Sequence, residues 1–167
     1  FLTKCDGTDN DAIITRIRRY NRTAAIIQCR HRPVLLQNLL NPADTRPLSY
    51  LNNRKVGTIS GIAVPEGFEA ILTNLGASLV LTRRYTDHHR YTEEEINECI
   101  LHADDDFADC VVTTEKDSVR FPFLEKTLLP VYFLRVEIEI LSGQEHFEEC
   151  VQRICLPTAA IPPMRIL

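Results

Sequence analysis

The chain has 167 residues, 44% of them apolar and 25% charged, with a formal net charge of -4. That composition supports one buried core, or one domain with a piece of another, and the slight acidity argues against nucleic acid as a partner, which calls for a basic excess. No apolar run approaches the roughly 18 residues needed to span a bilayer, and no charged-then-apolar leader opens the chain, which starts at Phe1 within what reads as a strand. The sequence is therefore expected to be a soluble piece of something longer.

Charge is unevenly spread. Arg16, Arg18, Arg19, Arg22, Arg30 and Arg32 crowd the first segment, whereas Glu93 to Glu95 and Asp104 to Asp106 are acidic. Such runs are ordinarily solvated faces; for the arginines the alternative is contact with phosphate or anionic lipid. The six cysteines, at 5, 29, 99, 110, 150 and 155, form no C-x-x-C and no zinc-site spacing. Cys99, Cys110 and Cys150 fall on apolar positions of predicted elements, where cysteine acts as a small hydrophobe. A reducing, cytoplasmic compartment is expected, with no metal or redox role for the thiols.

In chain order, Phe1 to Thr3 reads as the end of a buried strand, and Thr8 with Asp11 as a helix start. Ile13, Ile17 and Tyr20 then supply an apolar face to about residue 21, and Ala24 to Ile27 reads as a short buried strand. From Arg30 to Asn53 the pattern breaks up, with Pro42 to Asn53 read as a linker or surface loop. Val56 to Ala63 is a predicted strand whose glycines, 57 and 61, imply close backbone approach. Pro65 suits a first helical position, Val64, Phe68, Ile71, Leu72 and Leu75 repeat at helical spacing, and Gly76 stops the helix. Ala77 to Thr82 is the next strand. Thr92 and Glu95 form a capping box before a helix with the stripe Ile96, Cys99, Ile100 and Ala103. Cys110 to Val112 and Pro130 to Ile140 are further strands. Ser142 with Glu145 starts a last helix bearing Phe147, Cys150, Val151 and Ile154, and the apolar, Pro-rich remainder begins at Pro157.

Continuous apolar strands alternating with helices argue an α/β fold, a parallel or mostly parallel sheet with helices on both faces in a Rossmann-like three-layer arrangement. In such sheets functional groups gather at the carboxyl ends of strands, which singles out Ser60-Gly61, Asp87-His88-His89 and Thr113 to Asp117. A carboxylate beside two imidazoles offers a general base with an orienting partner, or ligands for a divalent metal; a polar loop is the plain alternative. Thr114-Glu115-Lys116-Asp117 can bind phosphate through Lys116. The preferred reading is a structural network, with Glu115 or Asp117 capping the following turn and Lys116 paired with a carboxylate. Thr3-Lys4-Cys5-Asp6 is similar to the [NT]-K-x-D signature with which P-loop GTPases read a base, making Lys4 and Asp6 nucleotide-binding candidates. No G-x-x-x-x-G-K-[ST] or G-x-G-x-x-G occurs, so the chain by itself holds no recognisable phosphate cradle.

Taken together, Ser60-Gly61-Ile62-Ala63 with Pro65-Glu66 and Phe68, Leu75-Gly76-Ala77, Asp87-His88-His89-x-Tyr91 and Val112-Thr113-Thr114-Glu115-Lys116-Asp117-x-Val119-Arg120 resemble, in that order, the C-terminal part of tetraacyldisaccharide 4'-kinases. The resemblance runs from Val56 to Arg120 and more loosely to Leu134-Arg135-Val136-Glu137. It implies the C-terminal lobe of a P-loop kinase that uses ATP and Mg²⁺, held mainly by the N-terminal lobe. The reaction implied is phosphorylation of the 4'-hydroxyl of tetraacyldisaccharide 1-phosphate, a lipid A precursor, at the cytoplasmic face of the bacterial inner membrane. Residues 1-53 would end the P-loop lobe with its linker, 54-140 would form the C-terminal α/β lobe, and 141-167 a C-terminal helix and tail. The Walker A lysine and a catalytic aspartate would lie upstream of Phe1, leaving the chain inactive alone. Asp87 and His88 match the family's Asp-His pair at the interlobe cleft, where the histidine is implied to pair with that aspartate. His89 and Thr114 to Asp117 are assigned supporting or interlobe positions.

Two other readings compete. A DHH-type phosphoesterase would bind Mn²⁺ at Asp87 and His88, with Asp6, Asp104 to Asp106 and Asp117 as further candidate ligands. A non-catalytic α/β interaction module would expose apolar surface where the first lobe docks.

Overall fold

In the computed structural model of the protein, residues 1-3, 5 and 9-155 are described. Thr8, expected to start the first helix, and the tail from Pro157 lie outside them. The chain forms two compact units, one built from Phe1-Arg32 and the chain from Ile138 onward, the other from Pro33-Glu137.

The first unit contains α1 (Asp11-Tyr20), α5 (Gln144-Cys155), the start of β1 (Gln28-Asn38) and the end of β6 (Val131-Ser142). Leu2 makes a single parallel bridge to Gln28, and Phe1 meets Phe147 edge to face at 6.1 Å. The expected strand at Ala24 to Ile27 is not formed. Ile27 is buried and bonds Leu2 through its backbone carbonyl, but the strand starts at Gln28 and runs through the segment expected to be irregular. The arginines are partly engaged: Arg18 donates to the carbonyls of Arg22 and Ala24, and Arg30 pairs with Glu139 at 2.6 Å.

The second unit carries the site. Its elements are β2 (Thr45-Pro47), a 3-10 turn (Leu48-Leu51), β3 (Lys55-Ser60), α2 (Pro65-Asn74), β4 (Ser78-Arg84), α3 (Glu93-Asp105), β5 (Cys110-Thr114) and the short α4 (Glu115-Ser118). The strand order is β2-β1-β6-β5-β3-β4. β3 pairs in parallel with β4 and β5, and β5 with β6, while β2 folds back antiparallel on β1. The stretch expected as a loop, Pro42 to Asn53, thus holds a strand and a helical turn, and its Leu51 is fully buried.

Successive connections explain the layers. From β3 the chain moves through α2 to β4 on one side, then through α3 to β5 on the other side of β3. Right-handed crossovers running in opposite directions place their helices on opposite faces. Accordingly Val56, Cys110, Val112, Tyr132 and Leu134 pack with Phe68 and Leu72 of α2, while Ile59, Val111 and Val131 pack with Ile96, Cys99, Ile100 and Ala103 of α3. Alternate residues of each strand serve alternate faces, and each fully buried Leu, Ile or Val contributes about 1.5–3 kcal/mol. α3 sits so close that a Cβ on Gly57 would stand 2.8 Å from that of Ala103.

The local signals are realised as expected at several ends. Pro65 opens α2, and Gly76 ends it at φ +90°. The Thr92 hydroxyl accepts from the Glu95 N–H at 3.2 Å while the Glu95 carboxylate accepts from the Thr92 N–H at 2.9 Å.

Burial pushes the Cys99 and Cys110 thiols from 9.0 up to about 12. Their folded form disfavours the thiolate, so their share of stability is intact below about pH 9 and declines as pH rises further. Because the thiolate is the nucleophile, a thiol reagent at pH 8 is expected to modify exposed Cys155 and half-buried Cys150 while sparing Cys99 and Cys110 until the protein unfolds. Peptide mapping by mass spectrometry checks this; labelling of Cys99 at the rate of Cys155 would contradict it.

Candidate functional site

Three loops leave the carboxyl ends of β3, β4 and β5 side by side, where the connections diverge from β3. This edge is the usual ligand position of a doubly wound sheet. They bring Gly61, Asp87-His88 and Thr114 to Arg120 together.

Asp117 is the hub. It is fully buried, and its Oδ2 accepts from the Gly61 N–H at 3.0 Å and the Thr114 hydroxyl at 2.7 Å, while Arg120 reaches Oδ1 at 3.3 Å. A buried carboxylate persists when it is paired and hydrogen-bonded in this way. Gly61 is required by close approach, since a Cβ there would stand 2.7 Å from the Tyr91 hydroxyl and 3.3 Å from Asp117 Oδ1. Burial first, then the Asp117 charge, holds the Tyr91 phenol well above its ordinary range, so it stays protonated.

Around this hub two adjacent residues are held. Lys116 donates to Asp87 Oδ1 at 2.9 Å, and that bond is the main reason the Asp87 carboxyl lies below its usual range. Arg120 Nη2 lies 3.0 Å from His88 Nδ1. The His88 backbone adopts φ +66°, an uncommon left-handed conformation for a non-glycine residue, and its N–H bonds the Gly61 carbonyl at 3.3 Å. The His88 ring is mostly exposed, with Nε2 3.6 Å from Asp87 Oδ2, beyond hydrogen-bonding range.

His89 turns the other way. Its Nε2 sits 3.0 and 3.1 Å from the Glu95 carboxylate oxygens, and its ring stacks on Tyr85 at 4.5 Å. The Thr92 backbone N–H first, and then His89, hold Glu95 below the usual carboxylate range. His89 therefore ties the site loop to the capped start of α3.

The expected site residues thus divide. Asp87, His88, Lys116 and Asp117 share one cluster, and Lys116 does pair with a carboxylate. The cap of the following turn is Thr114, whose hydroxyl accepts from the Asp117 N–H at 3.0 Å, rather than Glu115 or Asp117. Glu115 accepts the Val136 N–H at 3.3 Å. Lys4 and Asp6 lie outside the described residues. For a DHH-type metal set the geometry is poor. Asp104 and Asp105 end α3, and the Asp109 N–H just beyond bonds the Lys55 carbonyl at the start of β3, the opposite edge of the sheet. Among the described residues no group of three or more His, Cys, Asp or Glu side chains is placed to hold a metal ion. Gly61, expected at a strand end and at a close backbone approach, meets Asp117 there; Arg120 also carries the cluster, and its only signal in the sequence is membership of the matching motif.

Fold and cluster together define a doubly wound α/β domain that gathers its charged groups at the strand ends. Residues 3-155 match the family model described as tetraacyldisaccharide-1-P 4'-kinase, and the chain belongs to that family. It is 32% identical over 149 residues to the tetraacyldisaccharide 4'-kinase of Syntrophus aciditrophicus, covering 89% of this chain and 38% of that protein. Identity is 38% to that of Anaeromyxobacter sp. strain K (79% and 36% covered) and 34% to that of Elusimicrobium minutum (87% and 38%). The chain therefore spans little more than a third of the length of these curated relatives. A solved structure, LpxK of Aquifex aeolicus in complex with ATP, is similar at 19% identity and a TM-score of 0.46, covering 84% of this chain and 44% of that one. No helix among the described residues is long and apolar enough to cross a membrane.

Proposed function

We propose that this chain supplies the Asp87-His88 half of the active site of a kinase that transfers the ATP γ-phosphate to the 4'-hydroxyl of tetraacyldisaccharide 1-phosphate. The observation that carries the reading is the clamped pair itself. In a member of this family, Lys116 fixes Asp87 and Arg120 contacts His88 at the carboxyl edge of the sheet, with the His88 ring facing outward.

In this reading the site-bearing unit is the C-terminal lobe, and a P-loop lobe holds the nucleotide. The residues at hand do not fit as a Mg²⁺ holder. Mg²⁺ takes oxygen ligands in strict octahedral geometry, whereas Asp117 is enclosed by its three partners and Asp87 Oδ1 is engaged by Lys116. The contribution of this chain is positional. His88 meets a carboxylate of the nucleotide lobe, and that carboxylate accepts the proton of the sugar hydroxyl as the hydroxyl oxygen bonds to phosphorus and ADP leaves. Orientation of this kind accounts for much of phosphoryl-transfer catalysis. The work site is the cytoplasmic face of the inner membrane, with exposed Arg16 and Arg19 of α1 available to anionic headgroups.

The purified chain, given Mg·ATP and the lipid acceptor, is expected to form neither ADP nor labelled lipid, whereas a family-length protein containing it forms both. Transfer by the purified chain would overturn the division of labour proposed here.

A further inference from the structure

We infer that Arg120 is a positioning residue that sets the tautomer of His88, presenting the ring as a neutral Nε2–H donor. This deepens the kinase reading, because it states which way the hydrogen bond to the opposing carboxylate runs.

The chemistry of the two groups decides it. A guanidinium has five N–H donors, no acceptor, and does not give up its proton in proteins. With Arg120 Nη2 3.0 Å from His88 Nδ1, that ring nitrogen must offer its lone pair. The single proton of the neutral ring then sits on Nε2, and the only lone pair is already engaged. While this bond stands, His88 can donate but cannot accept a proton. The base of the reaction must accordingly be another group.

Arg120 is well placed to impose this. Its Nη1 is anchored at 3.3 Å on the fully buried Asp117 and its backbone N–H bonds the Asp117 carbonyl at 2.8 Å, leaving the side chain one-fifth exposed. The planar fork of arginine can serve Asp117 and His88 at once, which a lysine ammonium cannot reproduce. On the other side, the left-handed backbone of His88 and its N–H bond to Gly61 fix where the ring starts. Asp87 takes no bond from Nε2 at 3.6 Å, so that N–H remains available to an incoming acceptor. A carboxylate, a phosphate oxygen or a sugar oxygen fits such a donor; a cation or a second N–H does not.

Ring ¹⁵N NMR of this chain at neutral pH reads the tautomer directly, with the His88 signals assigned by their loss in His88→Ala. The expected wild-type pattern is an unprotonated Nδ1 and a protonated Nε2. In Arg120→Met both signals are expected to move toward the average of exchanging tautomers, while those of His89 and His102 stay in place. Arg120→Lys keeps a charge for Asp117 and guards against loss of the fold; it is expected to release the tautomer as well. A protonated Nδ1 in the wild type, or an unchanged His88 pattern in both folded variants, would overturn the inference.

A kinetic arm separates it from the kinase reading. In the family-length protein Arg120→Met is expected to lower kcat at least about tenfold with KM for ATP nearly unchanged, and to add little in a His88→Ala background, since residues acting through one another are non-additive. If His88→Ala leaves turnover intact while the NMR shift in Arg120→Met persists, the kinase role of His88 falls and the tautomer assignment stands.

Discussion

Replacing His88 by alanine in a family-length protein is expected to lower kcat by roughly two orders of magnitude, the scale of the loss when a group that orients the reacting centre is removed, while KM for ATP changes by less than about threefold. The reasoning is geometric. The ring is exposed, contributes no packing to either core cluster, and is held by Arg120 and by the strained backbone at its own position. Its removal therefore leaves the fold and the nucleotide lobe alone and takes away an interaction made at the reacting centre. A loss confined to kcat is the signature of that kind of interaction. Steady-state kinetics with ATP and the lipid varied separately distinguish the outcomes; a raised KM with unchanged kcat would make His88 a binding residue instead.

Asp117→Ala is expected to destabilise the protein by about 3–5 kcal/mol, the usual cost of removing one member of a buried charged pair. The substitution leaves the Gly61 N–H, the Thr114 hydroxyl and the Arg120 guanidinium without their acceptor at a fully buried position, and unmet buried donors are expensive. Asp87→Ala tests the contrast. Its partner Lys116 is half-exposed and the carboxylate itself solvated, so solvent screens the pair and the loss there should be far smaller than at Asp117. Urea unfolding at constant slope reads both. Equal effects at the two positions would contradict the assignment of Asp117 as hub.

Much of the fold could be read from local chemistry. Pro65 lacks an N–H that the helix start could not pair, Gly76 takes the positive φ that ends α2, and the Thr92-Glu95 box satisfies two N–H groups at the start of α3; continuous apolar strands mark a sheet covered on both faces. The first long strand could not. β1 carries Pro33 and a run of charged residues, tolerable because β2, its neighbour on one side, covers only Leu35 to Gln37 and proline is admitted at such edges. Its apolar run is cut to Val34 to Leu36 behind Pro33 and the charged residues, too short to betray a strand of this length, whereas Ala24 to Ile27 is apolar throughout and is not a strand.

The site was legible as a set of loops, not as a circuit. Strand-end logic located Asp87-His88 and Thr114 to Asp117, and charge pairing anticipated a partner for Lys116. That Lys116 and Asp117 lie back to back, one serving Asp87 and the other anchoring the arginine beside His88, depends on β3 lying between β4 and β5. Arg120 stands 32 positions from His88, and no periodicity links them.

The central claim is tested most directly by the position of the transferred phosphate. A family-length protein containing this chain, incubated with γ-labelled ATP and tetraacyldisaccharide 1-phosphate, is expected to yield a labelled bisphosphate whose new phosphomonoester sits at the 4' carbon by phosphorus-proton correlation NMR. Unlabelled phosphate released from the lipid, or label at any other hydroxyl, would contradict it.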